Sequence, residues 1–97
     1  MVTRHGETKY ESKYPTIPYN IIETCISRVP IKTKFSTLDF IEALMKVAPE
    51  RYRQYRLVDE GWKIAVGIRL SWYAKQSGQI EKVEGHKDGA QVWSITF

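Results

Sequence analysis

The side chains of this chain that are best suited to chemistry are basic and aromatic, and they favour binding over catalysis. The densest group is the stretch "RYRQYR", in which Arg51, Arg53 and Arg56 alternate with Tyr52 and Tyr55. Arginine pairs with phosphate oxygens and tyrosine can donate or stack, so the combination suits nucleic acid, single strands included. The alternative is a short helix that packs its tyrosines inward and leaves its arginines in solvent.

A second basic group lies in the C-terminal half. It comprises Lys63, Arg69, Lys75 and Gln76 on a long helical pattern, and His86 and Lys87 near a polar turn. The helical residues could contact phosphates or base edges, and the turn residues could contact the phosphate backbone. The alternatives are a solvated basic helix surface and a hairpin tip that is polar because tips are exposed.

Residues for catalysis or metal binding do not form a recognisable constellation. The two histidines, His5 and His86, lie far apart, and Cys25 is the single cysteine, so no Cys/His zinc cluster or intramolecular disulfide is expected. We interpret Cys25 as a small buried hydrophobe. The pair Asp59-Glu60 is explained by the preference of carboxylates for a helix N-terminus. The sequence therefore predicts no enzyme, no metal, no cofactor and no small-molecule ligand.

Composition indicates one small soluble domain. The chain has 97 residues, 42% of them hydrophobic and 27% charged, with a formal net charge of +4. A mild positive excess is compatible with a polyanionic partner but does not establish one. No run approaches the about 18 apolar residues of a membrane span, and the first residues lack the apolar centre of a signal peptide. We therefore expect a cytoplasmic protein.

The N-terminal half is expected to form an arm and two helices. Residues 1–19 show no apolar periodicity and contain two prolines, which predicts a flexible arm before a domain spanning 20–97. A helix is predicted over about 21–28, with Asn20 and Glu23 at the spacing of a capping box. The alternating segment 31–36 suggests one short strand, and a second helix is predicted over 37–47.

Local signals mark the ends of the elements that follow. Ser36 can cap the second helix with Asp39 in its first turn, and Pro49 suits the start of a short helix. A long helical pattern then runs from Glu60 to Ser77, ended by Gly78 at a position that favours a left-handed C-cap.

The remaining residues predict a β-hairpin. Two strand-like runs, 80–84 and 90–97, flank a turn around Asp88-Gly89, and Asp-Gly is a strong hairpin signal. Because an isolated hairpin is only marginally stable, we expect it to need support from another part of the chain. Phe97 shares the face of Trp93 and Ile95.

This order of elements resembles the winged helix-turn-helix family. The resemblance is carried by "NIIETCISRV", "FSTLDFIEALM", "GIRLSWYAKQSGQI" and "EKVEGHKDGAQVWSI", which together span about residues 20–97. It implies an α+β fold with three or four helices and a C-terminal hairpin wing that packs on the helical core through Ile80, Trp93 and Ile95. It also implies double-stranded DNA binding, with the third helix in the major groove and the wing against an adjacent groove or backbone. The resemblance thus suggests a transcription regulator or a related DNA-associated factor.

The long helix has a second apolar face that suggests an alternative. On a helical wheel Ile64, Ile68 and Trp72 lie roughly opposite the face of Val66 and Leu70, and a helix that is apolar all round is normally buried all round. Either the segment 49–59 covers the second face or another chain does. In the latter case the domain is a protein-interaction module, and a homodimer is the commonest arrangement.

Overall fold

The computed structural model describes residues 14–31, 33–87 and 89–96, apart from the side chains of Glu84, His86 and Lys87. In this part of the chain, four helices are combined with a three-stranded antiparallel sheet, whose first strand lies between the first and second helices. The helices are α1 (Tyr19–Ile26), α2 (Thr37–Val47), α3 (Pro49–Arg56) and α4 (Trp62–Ser77), and the strands are β1 (Lys34–Ser36), β2 (Ile80–Lys87) and β3 (Ala90–Ile95). This is the predicted α+β class, in the form of a small winged-helix-like fold.

Helix α2 begins where its sequence signals placed it. The amide of Asp39 donates to the hydroxyl of Ser36 at 3.1 Å, and the amide of Ser36 donates to the Asp39 carboxylate at 3.0 Å. This reciprocal capping box satisfies two amides that a helix start would otherwise leave unpaired. The predicted bounds 37–47 are confirmed, and Pro49 opens α3 as expected.

The start of α1 corrects a prediction. The capping box expected from Asn20 and Glu23 does not form, because the helix begins earlier, at Tyr19. The carbonyl of Pro18 accepts from the amides of Ile21 and Ile22 at 3.0 and 3.1 Å, so the chain is already turning before Asn20. The Glu23 carboxylate instead accepts a hydrogen bond from the Tyr73 hydroxyl at 3.3 Å.

The segment before α1 is part of the folded domain, which corrects the predicted flexible arm for residues 14–19. Residues 15–18 have no helix or strand, yet Tyr14 and Ile17 are buried among the core side chains. The Tyr55 hydroxyl also donates to the carbonyl of Pro15. A segment without apolar periodicity can therefore still pack against the core. Residues 1–13 of the predicted arm lie outside the described residues.

The sheet is assembled around its last strand. Its order is β1-β3-β2, with both pairings antiparallel, so β3 lies between the two others. Strand β1 is shorter than the predicted segment 31–36. Strand β2 is longer than the predicted 80–84, because a bulge between Val83 and His86, with Gly85 at φ 99°, lets pairing continue. The hairpin turns at Gly89, φ 80°; Asp88 lies outside the described residues.

The hairpin packs on the helices as expected. Ile80 and Trp93 are fully buried, and Ile95 is partly buried against the same core. The indole Nε1 of Trp93 donates to the Thr37 hydroxyl at 3.1 Å, which joins β3 to the first turn of α2. Phe97 lies outside the described residues. The predicted support of the hairpin by the helical core is confirmed for Ile80 and Trp93.

Candidate nucleic-acid interface

Helix α4 is the element that connects the core to the surface of interest. Val66, Leu70 and Tyr73 are fully buried on its inward side, as the wheel predicted. Gly78 ends the helix in the left-handed conformation, φ 69°, and its amide donates to the carbonyl of Ala74. The hairpin begins at Ile80, directly after this turn. The position of the hairpin relative to the outward side of α4 is therefore set by a short, well-defined connection.

A groove lies between the outward side of α4 and the hairpin; we call it the α4–hairpin groove. Its volume is ≈ 440 Å³. Helix α4 contributes Lys63, Ile64, Gly67, Ile68 and Ser71; the start of α2 contributes Thr37 and Leu38; the hairpin contributes Lys82, Gly89, Ala90, Gln91 and Trp93. The lining is thus mostly small or apolar, with a few polar side chains.

The charge of this groove is of one sign. Lys63 and Lys82 are its charged lining residues, both exposed, and no acidic side chain is among the described lining residues. Lys82 is opposite Trp93 in the β2–β3 register, which explains why it stands on the sheet face that meets the helix. A neighbouring depression that also includes Lys63 contains Glu42, so its charge is mixed. The α4–hairpin groove is therefore the better match to an anion.

Arg69 does not contribute to this surface, which corrects the prediction that it contacts DNA. Its side chain is 7% exposed and lies on the inward side of α4. Its Nε donates to the Tyr55 hydroxyl at 3.0 Å, and its Nη2 donates to the carbonyl of Tyr14 at 2.8 Å. The guanidinium also lies over the Trp72 ring, 4.9 Å from its centroid. We call Tyr14, Tyr55, Arg69 and Trp72 the Arg69 cluster.

The Arg69 cluster joins three parts of the chain. The Tyr14 and Tyr55 rings pack with centroids 5.1 Å apart, and the Tyr14 hydroxyl donates to Asp59. Burial raises the pKa of the Tyr55 hydroxyl above its ordinary value, although the neighbouring Arg69 partly opposes that shift. In the described part of the chain no carboxylate forms an ion pair with Arg69. Its charge is stabilised by oxygen dipoles and an aromatic face instead.

The other predicted contacts on α4 have different surroundings. Lys75 is exposed but does not line the groove. Gln76 is exposed, and its Oε1 accepts a hydrogen bond from the Tyr19 hydroxyl, which ties it to α1. The Tyr19 ring in turn packs edge-on against Tyr73 at 4.9 Å. Gln76 is therefore held at the opposite end of α4 from Lys63, outside the groove.

The arginines of α3 also lie outside the groove. Arg53 pairs with Glu50, and Arg51 contacts Gln54 at 3.5 Å. Tyr55 is fully buried, and Tyr52 packs edge-on against Trp62 with centroids 5.7 Å apart. The arrangement of inward tyrosines and outward arginines is the structural alternative that the sequence left open.

The hairpin residues are placed by their backbones alone. His86 pairs with Gln91 and Lys87 with Ala90 in the β2–β3 ladder, so both belong to the strand and not to the turn itself. Their side chains lie outside the described part of the structure, and their predicted contacts with a phosphate backbone stay predictions.

The predicted apolar interface is divided between two sites. Ile64 is 61% exposed and, with the half-buried Ile68, lines the α4–hairpin groove. Trp72 is half-buried beneath the Arg69 guanidinium. Helix α3 packs on α2 and, through Tyr52, on Trp62, so it does not close the groove over Ile64.

Sequence reasoning missed Lys82, Gly67 and Ser71. A helical wheel places Gly67 and Ser71 between Ile64 and Lys63 on the outward side of α4, so this signal was present in the spacing. Lys82 could be assigned to this surface only from its pairing with Trp93, and that pairing depends on the register of the hairpin.

Other features of the described residues bear on chemistry. Cys25 is fully buried, which confirms the interpretation of a small buried hydrophobe, and this burial raises the pKa of its thiol to about 12. No group of three metal-ligating side chains occurs among the residues that the structure describes. Within the same ranges, no helix has the length and apolar character needed to cross a membrane.

Comparison with known proteins adds no relative. No protein-family model matches the chain, and neither the curated proteins nor the solved structures include a significant match.

Proposed function

We propose that this protein binds double-stranded DNA through the α4–hairpin groove, as a transcription regulator or related DNA-associated factor of the winged helix-turn-helix type. The observation that carries the proposal is the charge of the groove: Lys63 and Lys82 stand on its two sides, and no described acidic residue lines it. Phosphates bound between a helix and a hairpin would meet both lysines at once, and such contacts supply most of the affinity of a DNA-binding protein.

The shape of the groove supports the same partner. Lys63 lies in the first turn of α4, and the recognition helix of a helix-turn-helix protein uses its N-terminal residues toward the bases. Gly67, in the second turn, lines the groove and has no side chain, so the helix surface is low at this position. A nucleic acid can therefore approach the helix closely at its centre.

The test is the salt dependence of duplex binding. The logarithm of the affinity should fall linearly with the logarithm of the salt concentration, and each lysine that contacts phosphate contributes about 0.9 to the slope. Replacing Lys63 and Lys82 together with alanine should weaken binding to every duplex and reduce the slope by about 2. Fluorescence anisotropy from low to moderate salt measures both quantities.

The matched control is Lys46→Ala. Lys46 is an exposed lysine in the last turn of α2 and does not line the groove, so its removal should change neither affinity nor slope appreciably. If wild-type protein does not bind duplex at low salt, DNA binding is rejected. If the double variant retains the wild-type slope, the groove is not the interface.

A second candidate function is a protein-interaction module, supported by the exposure of Ile64 beside Ile68. A second copy of the chain is the simplest partner, and the homodimer contact would then use Ile64 and Ile68, with Trp72 beside them. Sedimentation of wild type and Ile64→Lys across micromolar concentrations tests it. A wild-type dimer that becomes a folded monomer in the variant supports this candidate, and a monomeric wild type contradicts the dimer.

The cellular location is a separate proposal. We propose that the protein acts in the cytoplasm, the location expected from the sequence. Cell fractionation with a tagged full-length chain would test this location.

A further inference from the structure

Apart from Lys63 at one end, the outward side of α4 lacks the side chains that read bases by paired hydrogen bonds. The residues that α4 presents to the groove are Lys63, Ile64, Gly67, Ile68 and Ser71. Arg69 is buried in its own cluster, and Gln76 is tied to Tyr19. Over the first three turns of the helix, the groove therefore offers two isoleucines and two small residues, with a lysine at one end.

These residue types match one feature of the DNA major groove. Guanine is read by a bidentate arginine or lysine and adenine by asparagine or glutamine, whereas the C5-methyl group of thymine is recognised by apolar contact. Ile64 is 61% exposed, one turn before Ile68, and no described residue covers it. Gly67 and Ser71 beside them would let the helix approach the base edges closely.

Resting on the proposed DNA binding, we propose that Ile64 and Ile68 contact thymine methyl groups in the major groove while Lys63 and Lys82 hold the flanking phosphates. Recognition is then apolar and favours A·T-containing duplexes. The two lysines beside these isoleucines favour a negatively charged partner such as DNA over an uncharged one.

The expected selectivity is small. Burying one methyl group is worth about fourfold in affinity. Two isoleucines that each cover one methyl group would therefore give on the order of tenfold discrimination. A bidentate arginine–guanine contact gives about 5- to 150-fold by itself. The protein should consequently prefer certain sequences without requiring one.

The experiment removes the methyl groups from the DNA. Binding is measured by anisotropy to an A·T-rich duplex and to the same duplex with every thymidine replaced by deoxyuridine, which lacks only the C5-methyl group. Wild type should bind the thymidine duplex about fourfold to tenfold more tightly. Ile64→Ala should bind both duplexes with a ratio closer to one. Circular dichroism checks that this variant is folded.

Lys63→Ala is the matched control, since Lys63 is adjacent to Ile64 and also exposed. Replacing Lys63 should weaken binding to both duplexes equally and leave the ratio of thymidine-duplex to deoxyuridine-duplex affinity at the wild-type value. Equal wild-type affinity for the two duplexes would overturn methyl recognition while leaving DNA binding intact. A ratio that survives Ile64→Ala would also overturn it, because the preference would then come from duplex shape. No binding to either duplex would reject the DNA-binding function itself.

Discussion

Lys63 and Arg69 are basic residues on the same helix, and the structure gives them opposite environments. Lys63 is exposed at the edge of the α4–hairpin groove, with its Nζ 5.7 Å from the centroid of the Trp62 ring. Arg69 is 7% exposed and holds together Tyr14, Tyr55 and Trp72. The comparison teaches that a basic residue on a helix next to a hairpin is not evidence of a nucleic-acid contact until its helical phase and neighbours are known.

The two environments also differ in how they stabilise the positive charge. Burying a guanidinium is unfavourable unless its donors are bonded, and Arg69 finds oxygen acceptors on Tyr55 and Tyr14 together with the Trp72 face. Lys63 remains hydrated and needs no fixed partner. Changes at Arg69 should therefore affect stability, whereas changes at Lys63 should affect binding.

The largest effect is expected from Arg69→Ala. The substitution removes the charge-assisted hydrogen bonds to the Tyr55 hydroxyl and the Tyr14 carbonyl and the contact with Trp72, so the free energy of unfolding should fall by about 3 kcal/mol. Urea denaturation followed by tryptophan fluorescence measures the loss. Arg69→Met, which keeps the apolar volume, should cost less.

Lys63→Ala and Lys75→Ala are the matched comparisons for that change. Both remove an exposed basic side chain from α4, and each should change stability by no more than about 0.5 kcal/mol. An Arg69→Ala variant that is as stable as wild type would contradict the claim that Arg69 stabilises the fold whereas Lys63 serves binding. A folded Arg69→Ala variant whose DNA affinity depends less steeply on salt concentration than that of wild type would also contradict it, because Arg69 would then contact the nucleic acid.

A smaller effect is expected at alkaline pH from Tyr55. Burial raises the pKa of this hydroxyl above the ordinary value of 10.0, so the folded state retains the proton longer than the unfolded state does. The contribution of Tyr55 to stability is therefore fully present below pH 10 and is lost as pH rises through the raised pKa. Tyr55→Phe should cost about 1–3 kcal/mol at neutral pH, because Arg69 loses an acceptor.

The pH dependence of that difference is the measurement. Unfolding free energies of wild type and Tyr55→Phe should converge as pH rises above 10, since only wild type has this proton to lose. Cys25, whose pKa rises from 9.0 to about 12, titrates in both proteins and cancels in the comparison. Curves that stay parallel to pH 11 would show that the Tyr55 hydroxyl is not held in its neutral form by the fold.

The smallest effect on stability is expected from a substitution of Gly67, on the outward side of α4. Gly67→Ala adds a Cβ whose closest neighbour is the Thr37 hydroxyl at 4.0 Å, so no clash opposes the better helix propensity of alanine. Thermal unfolding should show a gain of about 0.5–1 kcal/mol. Ala65→Gly, the reverse change at a buried inward position, should lose at least that much. A loss on Gly67→Ala would mean that α2 and α4 cannot accommodate a methyl group there.

Much of the helical structure was readable from local signals. Ser36 and Asp39 marked the start of α2, Pro49 marked the start of α3, and Gly78 marked the end of α4, because each acts through the backbone of its own turn. The hairpin was readable for the same reason. Where local signals competed, the prediction was wrong: Asn20 offered a cap, but Pro18 started the helix first.

The candidate site was less readable. The sequence predicted Lys63 and Arg69 together as DNA contacts, and it left open whether residues 49–59 or another chain covers Ile64. Arg69 is buried because segments distant in the chain, residues 14–18 and α3, cover one edge of α4, whereas the edge that carries Ile64 stays open. Helical spacing places residues relative to one another and carries no information about which distant segment packs on them.

The amino-acid sequence by itself determined the element types, their order and several of their ends, since propensity, caps and turn residues act over a few residues. The tertiary structure alone decided which basic residues face solvent, how β1 joins β3, and that Lys82 stands across a groove from Lys63. Those outcomes depend on contacts between residues far apart in the chain, and each is settled by the burial of the whole core together.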